Sequence, residues 1–154
     1  MKRIAVLSLV FLLSGISLFA QETTRKKHFN LNSKGLAIDG YDPVAYFTQN
    51  KAVKGKEEFF TKAEGAVYRF SSAANRDLFN KNYKAYEPQY GGWCAYAMGE
   101  KREKVEIDPE TFKIISGKLY LFYHSWSNNT LNKWNKDENN LKPKADKNWL
   151  GIFH

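Results

Sequence analysis

The apolar positions of this chain fall into short runs with two different periods. Phe59-Phe60-Thr61 and Ala66-Val67-Tyr68-Arg69-Phe70 flank a turn at Glu64-Gly65, and together they read as a hairpin. The clearest hairpin comes later. Phe112-Lys113-Ile114-Ile115 leads through Ser116-Gly117-Lys118 into Leu119-Tyr120-Leu121-Phe122-Tyr123. Lys104-Val105-Glu106-Ile107 alternates and predicts a strand, with Asp108-Pro109-Glu110 starting a turn after it. Nearer the N-terminus, Leu36 and Ile38 alternate with small or polar neighbours and Asp39-Gly40 signals a turn. Pro43 keeps the residue before it out of a helix, and Val44 to Phe47 reads as a short apolar turn or strand.

The helical period is heard elsewhere. A serine of Ser71-Ser72 supplies an N-cap, Leu78 and Phe79 give an inward face, and the helix ends before Tyr86-Glu87-Pro88. Gly91-Gly92 breaks the backbone, and Trp93 to Met98 reads as a second helix closed by Gly99. Leu131, Trp134, Leu141, Ala145 and Trp149 recur at roughly helical spacing, which predicts two terminal helices broken near Pro143. The sum is a small α+β single domain over residues 29–153. It has short antiparallel hairpins, two central helices and two C-terminal helices packed over them. Residues 21–28 are polar, basic and without period, and read as a flexible leader.

The first twenty residues change the compartment. Lys2 and Arg3 precede an apolar stretch from Ile4 to Phe19, and Ala20 before Gln21 suits cleavage, so residues 1–20 read as a signal peptide. No second apolar run is long enough to cross a bilayer, so the mature chain is expected to have no membrane span and to be periplasmic or secreted. The formal charge of +8 is scattered along the chain, and export argues against a nucleic-acid partner. With 9 Tyr, 4 Trp and 11 Phe, a core built of rings is the simplest expectation.

Candidate chemistry centres on the one cysteine, Cys94. Exported proteins pair their cysteines or lack them, so a single one needs a reason. On the predicted second helix Cys94 and Met98 are four residues apart and share a face. With His124 they would form a Cys-Met-His set suited to Cu(I). Alternatively, a position at a helix start would lower the thiol pKa, and His124 would complete a Cys-His pair for a thiol-dependent redox or transfer enzyme. The third reading is that Cys94 is a small core residue with Met98 filling space beside it. A separate candidate ligand site joins Asp42 to Tyr41, Tyr46 and Trp93; the alternative role of Asp42 is to fix its own turn through backbone N–H groups.

Three segments carry a family likeness: Gly40-Tyr41-Asp42-Pro43-Val44-Ala45-Tyr46-Phe47, then Tyr68-Arg69-Phe70-Ser71-Ser72 through Asn82-Tyr83-Lys84-Ala85-Tyr86, then Tyr90-Gly91-Gly92-Trp93-Cys94-Ala95. Together they resemble the exported branch of the YHS-domain family, over about Phe29 to Trp149. The resemblance implies a YHS/TRASH-like core, and in the wider family such cores hold zinc or copper on thiolates. This chain departs at those positions, with Ala45, Ser71 and Asn75 where the family has cysteines. Alanine cannot ligate, and Ser and Asn suit soft metals poorly. The expectation is a non-catalytic exported binding module with copper as the leading ligand through Cys94. The alternatives are the thiol enzyme and a ligand-free interaction protein of the cell envelope.

Overall fold

A computed structural model describes residues 22–153. The expected export segment, residues 1–20, lies outside the described residues. Helix α1 spans residues 22–28. Then follow α2 (Ala45–Thr48), β1 (Lys56–Ala63), β2 (Ala66–Phe70), α3 (Ala73–Lys81), α4 (Tyr83–Tyr86) and α5 (Ala95–Lys101). The second half holds β3 (Asp108–Ile115), β4 (Lys118–Phe122), β5 (His124–Ser125), β6 (Asn128–Asn129), α6 (Thr130–Lys136) and α7 (Glu138–Phe153). The strands pair as antiparallel hairpins, β1 with β2, β3 with β4 and β5 with β6. The fold is a small α+β domain, as the periods require.

Strand β4 organises the interior. Leu119, Tyr120, Leu121 and Phe122 are all buried. Successive side chains of a strand point to opposite faces. Leu119 and Leu121 accordingly join one core with Ile38, Val44, Tyr46, Tyr68, Phe70 and Phe79. Tyr120 and Phe122 join another with Tyr90, Met98, Trp134 and Leu141. A strand covered on both faces shows no polar alternation, which is why this run is continuously apolar.

Local chemistry sets the helix ends. Ser72 Oγ accepts the Asn75 N–H at 3.2 Å and caps α3. Asn129 Oδ1 accepts the N–H groups of Leu131 and Asn132 at 3.0 and 3.3 Å and caps α6. Helix α5 runs past Gly99 and stops at Arg102, which takes the left-handed conformation at φ 57°. Gly99 is inside because a Cβ there would lie 2.6 Å from the Leu141 carbonyl oxygen, so its role is close packing of α5 on α7.

Four further expectations need correction. Val44 to Phe47 lies largely in α2, because Asp42 accepts the N–H groups of Val44 and Ala45 and nucleates a helical turn. Residues 104–107 form no strand; the Val105 carbonyl instead accepts the N–H of Cys94, the N-cap of α5, at 3.0 Å. The terminal helices break at Asp137, and α7 continues through Pro143, whose ring is exposed and whose unreceived carbonyl, on Asn139, belongs to an exposed residue that water can reach. Residues 22–28, expected as a flexible leader, are helical, and Arg25 is 5 % exposed.

Candidate functional site

Of the candidate groups singled out by the sequence, Asp42 and Cys94 are fully buried, and both are committed to the fold. Asp42 is fully buried at the mouth of α2. Its Oδ1 accepts the N–H groups of Val44 at 2.9 Å and Ala45 at 3.3 Å. Its Oδ2 accepts the Ser71 N–H at 2.8 Å, the Ser71 hydroxyl at 2.7 Å and the Asn75 amide at 2.7 Å. A buried carboxylate tolerates loss of water when its lone pairs are filled by donors, and here they are. Ala45, Ser71 and Asn75, which the resemblance sets at the positions of thiolates, thus converge on one carboxylate. This donor set does not fit a soft metal. It offers no sulfur or imidazole, and the N–H and O–H groups around Asp42 already occupy its oxygens.

Cys94 is the second group. It is fully buried and precedes α5 as its N-cap residue, without its side chain capping the helix. Its sulfur accepts the Tyr123 N–H at 3.3 Å and lies 3.4 Å from Thr130 Oγ1. Thr130 gives its hydroxyl proton to the Tyr123 carbonyl at 2.7 Å, which leaves its oxygen to accept from the Cys94 S–H. The Thr130 N–H donates to the same carbonyl at 3.0 Å. Cys94, Tyr123 and Thr130 form a closed hydrogen-bonded loop that pins the starts of α5 and α6 to the end of β4. The thiol proton is in use, an arrangement that favours a structural thiol over a nucleophile or ligand.

We therefore expect Cys94→Ala to lose about 2 kcal/mol of stability, because the Tyr123 N–H is left without an acceptor. Cys94→Ser, which keeps an acceptor and a donor, should lose about half as much. Urea unfolding of the two variants checks the order. An alanine variant as stable as the native chain would remove the sulfur's structural role.

The other candidates are distributed. Met98 is fully buried in the core of α5, α6 and α7. His124 is exposed on β5, with Nδ1 3.2 Å from Asp108 Oδ2. Asp108 is held below the usual carboxylate range: burial alone would raise it, and the Glu110 N–H, the Thr111 hydroxyl and His124 outweigh that. His124 is thus turned toward Asp108 on the surface while the sulfurs face inward. Among the described residues, no group of three or more His, Cys, Asp or Glu side chains is arranged to hold a metal ion.

Of the expected ligand quartet, Tyr41, Asp42 and Tyr46 lie near one another and Trp93 stands apart in the other core. Tyr46 is buried and donates its hydroxyl to the Pro109 carbonyl at 2.8 Å. Tyr41 lies under the Lys54 ammonium, 5.1 Å from the ring centroid. Trp93 packs against the other core and donates its indole N–H to the His28 carbonyl at 2.7 Å. Asp42 faces its own turn and α3 rather than Trp93.

Open surface occurs elsewhere. One cleft of about 320 Å³ is lined by Phe29, Glu87, Tyr90, Asp146, Trp149 and Leu150. Gly91 forms part of its wall at φ 61°, and a Cβ there would lie 2.8 Å from Trp149 and 2.9 Å from Phe29. Tyr90 donates to Asp146 Oδ1 at 2.9 Å, and burial first, then Asp146, pushes its phenol well above the ordinary range. A second cleft runs past Glu22, Lys26, Leu31, Glu64 and Gly65. Sequence reading missed both, since their walls join residues far apart in the chain. No helix among the described residues is long and apolar enough to cross a membrane. The chain matches no family model, no curated protein and no solved structure.

Proposed function

We propose that this chain is an exported, non-catalytic binding module of the YHS type, in which a hydrogen-bonded carboxylate stands where the family's thiolate metal site would be. One observation carries the reading. The Ala45 N–H, three residues after Asp42, and the Ser71 and Asn75 side chains, at the start of α3, all donate to the Asp42 carboxylate. Their shared contact with one carboxylate supports the reading. The charged start and apolar stretch of residues 1–19 support export. The non-catalytic reading rests on the commitment of Cys94 and Asp42 to internal hydrogen bonds. What the module binds is then decided at its surface.

The experiment pairs a Cu(I) titration against a competing chelator with thiol labelling of the native protein. Native protein and Cys94→Ala should both fail to hold Cu(I), and Cys94 should react only after unfolding. Tight one-to-one binding abolished in Cys94→Ala would make this a copper module through Cys94. Rapid labelling of the native thiol would move the reading to a thiol enzyme.

A second reading, an envelope interaction protein, is favoured by Trp126. It sits at the tip of the β5–β6 hairpin and is fully exposed at 102 %. An indole that packs on nothing in its own chain is a natural contact for a partner.

A further inference from the structure

Helix α1 lays the Arg25 side chain, 6 % exposed, into a pocket built from distant parts of the chain. Glu64 comes from the β1–β2 turn, Tyr68 from β2, Tyr83 from α4 and Glu87 from the loop after it. The guanidinium grips Glu87 with both terminal nitrogens. Nη1 donates to Oε2 at 3.3 Å, and Nη2 donates to Oε1. Nη1 also lies 3.3 Å from Glu64 Oε2. The guanidinium carbon stands 4.3 Å from the Phe29 ring centroid and 6.0 Å from that of Tyr83. Phenols also hold the carboxylates, Tyr68 donating to Glu87 at 2.7 Å and Tyr83 to Glu64. Arg25 Nε is buried with no hydrogen-bond partner among the described residues.

Two carboxylates and two aromatic faces around one planar cation match what a desolvated guanidinium needs: a fork for its paired N–H groups and rings for its faces. An ammonium would satisfy the charge but not the fork. The occupant is carried by α1. It lies close on the domain, since a Cβ at Gly65 would come within 2.5 Å of Glu22 Cγ. It also separates the two clefts. Glu22 and Lys26 line one with Glu64, while Phe29, just past α1, lines the other with Glu87. With α1 lifted, Glu64 and Glu87 would lie at the bottom of a trough that joins them.

We infer that the Glu64–Glu87 cage is a recognition site for guanidinium groups that the chain fills with its own Arg25, and that displacement of α1 opens it to a guanidinium of another molecule. The inference rests on the Arg25 contacts alone and is independent of the exported-module reading.

Chemical rescue in full-length protein tests it. Arg25→Ala should lower Tm by about 8 °C, because two half-buried carboxylates lose their cation. Addition of about 20 mM methylguanidinium should restore at least half of the loss. Equal methylammonium or sodium chloride should not, and the native protein should gain nothing. Rescue by all three salts alike, or by none, would overturn the inference. Arg25→Lys guards against an alanine variant that fails to fold. It should be less stable than the native protein and gain nothing from methylguanidinium, and native-like stability of Arg25→Lys would also overturn the inference. A peptide copying residues 22–30 distinguishes the source of the ligand. Rescue of Arg25→Ala by this peptide well below the methylguanidinium concentration identifies a peptide-borne arginine, and comparable potency identifies a small guanidinium; either supports the site.

Discussion

Replacing Asp42 by asparagine is expected to destabilise the domain by about 3 kcal/mol. An amide has one oxygen and one NH₂ where the carboxylate has two acceptors. Around Oδ1 sit two backbone N–H groups, from Val44 and Ala45, and these cannot turn away. The variant's oxygen should therefore stay on that side. Its NH₂ then faces Ser71 and Asn75. The Ser71 hydroxyl can rotate to accept, and the Asn75 amide can flip to present its oxygen, but the Ser71 N–H is fixed at 2.8 Å from the Oδ2 position. One unavoidable donor-to-donor conflict in a fully buried place remains, together with the loss of charge-assisted bonds. Ser71→Ala removes a donor and leaves the carboxylate its other bonds, so it should lose only about 1 kcal/mol. Urea unfolding measures both through the midpoint at constant slope. An Asp42→Asn midpoint equal to the native one would mean that the carboxylate is not a hub of the fold. Since typical domains are stable by about 5–15 kcal/mol, the expected loss is a large share of the whole.

This hub explains what was legible in the sequence and what was not. The turn at Tyr41-Asp42-Pro43 could be read locally, because Asp accepting N–H groups two and three residues on is a short-range device. Its bonds to Ser71 and Asn75 span 29 and 33 residues, and no local pattern reports them. The β3–β4 hairpin was readable because the buried faces of β4 leave a continuous apolar run. The strand expected at residues 104–107 alternates correctly but meets no partner strand, and alternation by itself does not make one. Gly99 resembled a helix stop because glycine is common there, while its use here is close approach to Leu141 on another helix. Arg25 was the least legible. The polar run 22–28 displays no apolar period, and the main partner of Arg25, Glu87, is 62 residues away. Cys94 was correctly singled out as needing a reason. Its partners on Tyr123 and Thr130 lie in hairpin and cap positions that the pattern alone could not bring beside it.

Alkaline solution should unfold this protein above pH 10, and the cause is its ring-built core. Tyr46, Tyr68, Tyr90 and Tyr120 are all at most 4 % exposed. Burial is the largest influence on each and raises its phenol pKa above the ordinary value. For Tyr68 the nearby Glu87 adds to it, and for Tyr90 the nearby Asp146. Burial first, then the hydrogen bond to Glu64, pushes Tyr83 up to about 12. A tyrosine in the unfolded chain ionises near pH 10, as every tyrosine does in water. Above that pH the unfolded chain releases protons that the folded chain keeps. The stabilisation linked to each buried phenol is therefore complete below about pH 10 and falls by about 1.4 kcal/mol per pH unit as pH rises toward its folded value. The three most strongly raised, Tyr46, Tyr68 and Tyr90, together give a slope of about 4 kcal/mol per pH unit, enough to consume an ordinary domain's stability of about 5–15 kcal/mol in about one to four units. Circular dichroism and near-ultraviolet tyrosinate absorbance, followed together, measure this directly. The exposed tyrosines should ionise gradually, and the buried ones should ionise in one step that coincides with loss of helix signal. Gradual ionisation of every tyrosine in a chain that keeps its helices would show that water reaches these phenols and that the core is not sealed around them.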